Sequence, residues 1–405
     1  MALFAAAAAA CRLPRLGLPS EEFFDEVYHA KSALQYLSGQ PPVDWVHPPT
    51  AKLLIAAGVW LLGYDAWGWR LAPALAGIAI APVFFLLARR VLETERAAVL
   101  ATALLLTDGV YLVQSRVAMT NIFAVLFQLA TALFIVRAVI ADPLPVREML
   151  GAGLFLGLAL STRWTSLFAT AFVGTLFLFV RGWRLLRLRE VGLLLVTFAL
   201  IPSAIYLLSY VPWMRQGHDI RDVLAIQESI WNYHATLSAT HPYFSRWYTW
   251  PWLYRPTLYY FGVDPPDVGP IRGVIALGNP ALWWASVPVT LWALVTGVRA
   301  RDPRRLFTGA GFCLLYLPWG LSPRTLNFSH YLFEAIPYAC LSLGALLDRG
   351  WDSRLLPFAR GYVFLAVLLF LFFFPFLTAI PIPHDVFYFR ILEGSTPWWW
   401  FTTWI

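Results

Sequence analysis

The sequence predicts an all-α polytopic membrane protein, and three observations carry that expectation. Hydrophobic residues make up 59% of the 405 and charged residues only 13%, against about 45–50% and about 25% in ordinary soluble domains. The mean hydropathy is +0.63. The net charge of +7 does not gather into one patch with interleaved aromatics, so no nucleic-acid partner is expected. Instead the basic residues recur in short clusters between apolar runs, which is the topology signal of a membrane protein.

A helix crossing about 30 Å of hydrocarbon takes roughly 20 mostly apolar residues. At the N-terminus, "MALFAAAAAAC" reaches only about half that length. It is counted as a first, short helix; no basic region precedes it, which disfavours a signal peptide. "TAKLLIAAGVWLLGY", Thr50 to Tyr64, is also too short to span comfortably. It is read as a juxtamembrane helix lying in the interface. Further spans are expected at about 70–90, 97–114, 119–139, 149–163, 165–181, 191–211, 274–298, 306–321, 328–347 and 359–380. With the first, these make about eleven transmembrane helices.

Arginine sets the orientation. Arg89, Arg90 and Arg96; Arg137 and Arg147; Arg181, Arg184, Arg187 and Arg189; Arg299, Arg301, Arg304 and Arg305; and Arg349, Arg354 and Arg360 fall in alternate loops of this map. Those loops are then cytoplasmic. The first loop (12–69), the long loop (212–273) and the tail from 381 lie on the outer face, which divides the chain into 1–211, 212–273 and 274–405. Placing a span at Thr50–Tyr64 would invert every later loop. Cys11, Cys313 and Cys340 are an odd number in apolar surroundings, so neither a disulfide framework nor a cysteine metal site is expected.

The unusual chemistry gathers at outer helix ends: Asp25, Glu26, His47, Arg70, Arg116, Asn121, Arg163 and Arg324. Ionisable groups at membrane depth cost a few kcal/mol each and usually face an internal cavity with a function. For any one arginine, snorkelling to headgroups is an equally good reading, but several arginines converging with an acidic pair on one face favour a site. Guanidinium forks match phosphate oxygens and stay charged when partly desolvated. Beside a carboxylate, that suggests group transfer from a lipid phosphate, the arginines stabilising the departing phosphate and the carboxylate taking a proton from the incoming hydroxyl. No Gly-rich phosphate loop is present, which argues against a cytosolic nucleotide donor.

Eight motifs stand in one order along the chain: "FFDEVYHAKSA", "HPPTAKLLIAAG", "GWRLAPALAG", "QSRVAMTNIF", "GLFLGLALSTRWTSLF", "HPYFSRWYTWPWLYRPTLYYF", "GNPALWW" and "YLPWGLSPRTLNFSHYLFEAIPY". Together they resemble the protein O-mannosyltransferases in their compact bacterial form, over nearly the whole length. The resemblance implies a GT-C glycosyltransferase fold with outer-face loops, its last part resembling the family's four-helix region. It implies transfer of mannose from a polyprenyl-phosphate mannose to Ser or Thr hydroxyls of exported proteins, with inversion and without a cofactor. On it, Asp25 is the catalytic base and Glu26 its partner in the acidic dipeptide. His47, Pro48 and Lys52 shape the loop around the donor, and Arg70 contacts the lipid-linked phosphate. Arg116 and Arg163 join it there, and Arg255 assists. Inversion needs one displacement and therefore one base. The expected partners are the donor, an exported acceptor, membrane lipid and the secretion machinery that delivers the acceptor.

Two departures from the family pattern stand out. Asn121 occupies the place of a usual aspartate after the Ser-Arg motif, which removes a negative charge, and no metal is expected. The outer loop of about 60 residues has no room for the β-trefoil-type domain of eukaryotic members. Its aromatic run, "WYTWPWLYRPTLYYF", is read mainly as interfacial anchoring. His234 and His241 are read as loop hydrogen-bonders, because no second ligand stands at metal spacing. His29 and Lys31, a turn beyond the acidic pair, either tune Asp25 or solvate the helix. Rival readings are a relative using another polyprenyl-phosphate sugar or a lipid or glycan acceptor, and a non-catalytic membrane scaffold. A transporter is disfavoured, since no matched pair of Gly/Pro-broken helices divides the chain into halves.

Overall fold

The computed structural model describes residues 1–181, 187–389 and 396–404. Arg184, one of the arginines used for orientation, lies outside them, as does part of the tail after residue 381. Each stretch expected to span carries a helix. In chain order the helices, including three outside those stretches (α2, α3 and α11), are α1 (Ala2–Arg12), α2 (Glu26–Ser38), α3 (Thr50–Leu62), α4 (Ala66–Val91), α5 (Glu95–Leu106), α6 (Gly109–Gln114), α7 (Asn121–Val139), α8 (Val146–Leu160), α9 (Ser166–Arg181), α10 (Leu188–Ser209, with a π-helical turn at Val196–Leu200) and α11 (Ile220–Thr236). After strands β1 (Thr257–Val263) and β2 (Ile271–Ala276) come α12 (Pro280–Ala300), α13 (Pro303–Tyr316), α14 (Ile336–Trp351) and α15 (Leu356–Leu377).

Among the described residues, α4, α7, α10, α12 and α15 are long and apolar enough to cross a membrane by themselves. Their burial sorts them. The most apolar stretch of α7 is 78% buried and forms the centre of the bundle, whereas that of α10 is 11% buried and turns its apolar side chains outward, as a lipid-facing helix does.

The structure departs from the expected spans where side chains compete for the backbone. The span expected at 97–114 breaks between α5 and α6, because Asp108 caps α6 by accepting the Val110 N–H (3.2 Å) and also takes the Trp283 indole N–H (3.1 Å). The span expected at 274–298 begins as a strand. β2 pairs antiparallel with β1, from Thr257 opposite Ala276 to Val263 opposite Ile271, and both are rich in β-branched and aromatic residues that suit a half-buried sheet. The all-α expectation thus gains one hairpin. Helix α12 starts only after Asn279, whose Oδ1 accepts the Ala281 N–H (3.0 Å) while its amide donates to the carbonyls of Thr107 and Ala366.

Helices α3 and α4 form a tight hairpin. Gly63 turns the chain at φ +96°, and a Cβ on Gly58 or Gly68 would strike a backbone carbonyl of the neighbouring segment. Only glycine permits that approach. The first loop is pinned at three helix ends. Glu26 pairs with Arg70 at the start of α4, His29 Nδ1 lies 2.7 Å from the Ala118 carbonyl before α7, and the Thr50 hydroxyl donates to Ser161 Oγ (2.7 Å) after α8.

Candidate active site

The turn "FFDE" separates its two acidic side chains. Phe24 takes a left-handed backbone (φ 52°), a strained choice for a bulky residue. Its ring stacks on Tyr259 at 4.0 Å. After that kink Glu26 points inward and is fully buried. Its Oε1 accepts the Arg70 Nε–H (2.8 Å) and the Ala118 N–H (2.9 Å), and its Oε2 accepts from Arg70 Nη2 (2.7 Å). Asp25 is half-buried, and among the described residues no side chain donates a hydrogen bond to its carboxylate. Burial lifts its pKa above the ordinary carboxylate value, helped by the like charge of Asp44; the charges of His29, Arg163 and Arg324 oppose the rise without cancelling it.

Beside Asp25 lies a second, fully engaged carboxylate. Buried Asp44 sits 3.3 Å from Lys52 Nζ, 3.1 Å from His47 Nδ1 and 3.5 Å from His29 Nε2. Burial alone would raise its pKa, but the Lys52 charge and the His47 contact outweigh that and hold it well below the usual range. Lys52 also donates to the carbonyl of Asp44 and to that of His47 (2.7 Å), so it shapes the loop around Pro48 from within. The ligand atoms of His29, Asp44 and His47 lie within 4.8 Å of one another, a geometry that could hold a small cation. Here the Lys52 ammonium already supplies the positive charge that Asp44 requires. Burial pulls His47 down to about 3, so its ring is neutral. It donates through Nδ1 to Asp44, leaving Nε2 bare.

A cavity of about 380 Å³ opens next to this cluster. Its wall combines polar side chains, His47, Arg163, His234 and Arg324, with apolar ones, among them Leu167, Phe168, Trp319 and Leu321. Arg163 donates from Nη1 to Asn121 Oδ1 (2.7 Å) and Thr120 Oγ1 (3.1 Å). Arg324 donates from Nε to the Leu326 carbonyl (2.7 Å) and from Nη1 to His234 Nδ1 (3.1 Å). Both guanidiniums lie over the ring of Tyr331, at 5.4 and 5.9 Å. Among the described residues neither Nη2 has a hydrogen-bond partner, so two cationic forks keep donors free at the cavity wall.

The other predicted arginines sit in different surroundings. Arg70 is fully buried, and its five N–H groups go to Glu26 and to the carbonyls of Leu16, Pro19 and Glu21. In this arrangement no Arg70 donor is left over for a phosphate. Arg116 donates from Nη1 and Nη2 to the carbonyls of Cys11, Arg12, Pro14 and Arg15, where it satisfies the C-terminal end of α1. Arg255 lies half-buried beside Tyr243, and among the described residues its buried Nε has no hydrogen-bond partner. Asn121 meets Arg163 through Oδ1, but among the described residues its buried amide nitrogen has no partner.

Residues 2–215 match the family described as dolichyl-phosphate-mannose-protein mannosyltransferase, and residues 219–390 match the C-terminal four-transmembrane region of protein-O-mannosyltransferase. The chain belongs to the protein O-mannosyltransferase family. A polyprenol-phosphate-mannose–protein mannosyltransferase of Mycolicibacterium smegmatis is 30% identical over 94% of this chain and 89% of its own. A relative of the same description from Corynebacterium glutamicum is 29% identical over 84% of this chain and 79% of its own. Among solved structures, the Saccharomyces cerevisiae Pmt1–Pmt2 complex bound to the sugar donor superposes with a TM-score of 0.85 at 14% identity, covering 100% of this chain and 92% of that one. ArnT of Cupriavidus metallidurans bound to undecaprenyl phosphate gives 0.59 at 20% identity, covering 90% and 62%. The fold is therefore that of the GT-C glycosyltransferases, embedded in a membrane through several helices.

For this mannosyltransferase-family chain, sequence reasoning missed Asp44, Tyr331 and Glu334. Glu334 accepts from Thr165 (2.8 Å) and Gln128 (3.0 Å) beneath Arg163. Asp44 left one trace, an acidic residue three before His47 and eight before buried Lys52.

Proposed function

We propose that this chain transfers mannose from a polyprenyl-phosphate carrier to serine or threonine hydroxyls of exported proteins, in a single inverting displacement on the outer face of the cell membrane. Asp25 is the general base. The acceptor hydroxyl gives its proton to the Asp25 carboxylate as its oxygen forms a bond to the anomeric carbon. The bond from that carbon to phosphate oxygen breaks, and its electron pair leaves with the polyprenyl phosphate. Arg163 and Arg324 take up the charge that develops on the leaving phosphate, and the apolar side chains of the cavity wall hold the first units of the lipid. The observation that carries the reading is the contrast within one turn, where Glu26 is saturated and Asp25 is left free beside two arginines with spare donors.

This reading keeps about eleven crossing helices, with 1–211 as the catalytic region, 212–273 as an outer loop over the cavity, and 274–405 as the region that supplies Arg324. The acceptor arrives from outside, handed over by the secretion machinery. The test is transfer by purified protein from labelled polyprenyl-phosphate mannose to a Ser/Thr-rich peptide. Other lipid-phosphate sugars and lipid acceptors run beside it as competing arms.

Two outcomes follow from the geometry. Arg163→Ala or Arg324→Ala removes a hydrogen bond to a charged group, worth about 1.5–3 kcal/mol. Each should lower kcat/KM for the donor by about 10- to 100-fold; unchanged donor kinetics in both would move the phosphate elsewhere. The second concerns pH. A base works only when ionised, and the pKa of Asp25 is raised. The acid limb of kcat/KM should therefore lie above the ordinary carboxylate range, with activity lost as pH falls through it. His47, at about 3, and His234, at about 4, stay neutral and add no limb near neutrality. A profile flat down to the ordinary carboxylate range would remove Asp25 as the base.

A further inference from the structure

The ring of His234, in the last turn of α11, touches two segments remote in sequence. Its Nε2 lies 2.9 Å from the carbonyl of Val46 in the first outer loop, and its Nδ1 lies 3.1 Å from Arg324 Nη1. A carbonyl can only accept, so Nε2 carries the proton and Nδ1 keeps the lone pair that receives the guanidinium N–H. Burial, with the Arg324 charge beside it, pulls the ring down to about 4, which keeps it in that neutral form. The ring also packs against His47, with centroids 5.6 Å apart. One imidazole thus joins the loop next to His47, the long outer loop and the segment bearing Arg324.

Arg324 needs such a holder. It is half-buried and projects from a stretch without regular structure between Leu321 and Ser329. Its Nε is tied only to Leu326, two residues away, and Tyr331 lies under its plane. Those contacts leave rotation of the guanidinium in its own plane loosely fixed. The His234 bond to Nη1 fixes it and thereby sets where Nη2 points.

We propose that His234 is a positioning residue for the transfer reaction: it holds Arg324 through Nδ1 and the first outer loop through Nε2–H, and so aims the free guanidinium donor at the phosphate of the donor lipid. This rests on the reading of Arg324 as a phosphate contact. The His234 ring touches the phosphate only through Arg324, so its loss acts on donor binding and leaves acceptor binding alone.

The test measures steady-state kinetics of full-length purified protein, varying polyprenyl-phosphate mannose at saturating peptide and then the reverse. In His234→Ala the donor KM rises about tenfold, the size of one hydrogen bond to a charged group, while kcat stays within about twofold and the peptide KM is unchanged. Two half-mimics separate aiming from mere packing. His234→Asn can set an oxygen near the Nδ1 position and keep the bond to Arg324. His234→Gln can reach Val46 with an amide N–H but displaces the acceptor. Donor KM nearer to wild type in the Asn variant supports the proposal; recovery by Gln and not Asn overturns it in favour of a loop-holding role. In the Arg324→Ala background, removing His234 should add little. If Arg324→Ala raises donor KM and His234→Ala does not, the proposal falls while the phosphate reading stands. If Arg324→Ala leaves donor KM unchanged, both fall. Should the Ala variant fail to fold, the Asn and Gln variants decide alone.

Discussion

Asp25→Asn should abolish measurable transfer, with kcat down by about 10²- to 10⁴-fold, the usual contribution of a positioned general base, and with no loss of thermal stability. The two halves of this expectation come from one observation. The Asp25 carboxylate receives no hydrogen bond from the described protein, so replacing it by an isosteric amide breaks no contact. Its raised pKa also means that ionising it in the fold is unfavourable, so the neutral amide relieves a small cost. The amide cannot accept the acceptor's proton, and the reaction loses its base. Transfer by purified Asp25→Asn within about tenfold of wild type would remove Asp25 from the mechanism. Loss of transfer together with a lowered melting temperature would mean that Asp25 holds the fold instead.

That the chain folds as a helical membrane protein was legible because composition is a statement about solvent, which the sequence carries directly. The helix limits were less so. Asp108 and Asn279 are ordinary polar residues inside apolar runs, and only their partners, Trp283 for one and the carbonyls of Thr107 and Ala366 for the other, make them caps that interrupt a span. The site divides in the same way. Asp25 and His47 could be picked out because acidic and imidazole groups are conspicuous in so apolar a chain. Which arginine has donors to spare could not. Arg70 and Arg324 look alike in sequence, and the difference lies in carbonyls at Leu16, Pro19 and Glu21 that turn back onto Arg70. Pairings such as Glu26 with Arg70, 44 residues apart, follow from tertiary packing and leave no local pattern.

The second large effect falls on that pair and separates fold from chemistry. Arg70→Ala should destabilise the protein by about 3–5 kcal/mol, because it leaves the buried Glu26 carboxylate without its counter-charge and frees three loop carbonyls at once. In detergent this reads as a melting temperature lowered by many degrees or as failure to accumulate. The loop that carries Asp25 is held by the same pair, so activity falls too, and activity alone cannot tell a phosphate ligand from a structural tie. The double variant Arg70→Met with Glu26→Gln can. It removes both charges, fills much of the volume, and leaves the Gln side-chain oxygen able to accept the Ala118 N–H. If the pair is structural, the double variant should be more stable than Arg70→Ala and should regain part of the transfer rate with a donor KM near wild type. If Arg70 instead reaches the phosphate, Arg70→Ala should melt normally with a raised donor KM, and the double variant should bind the donor no better. Recovery of stability without recovery of donor KM would return Arg70 to the phosphate, and Arg324 would then be the arginine to reassign.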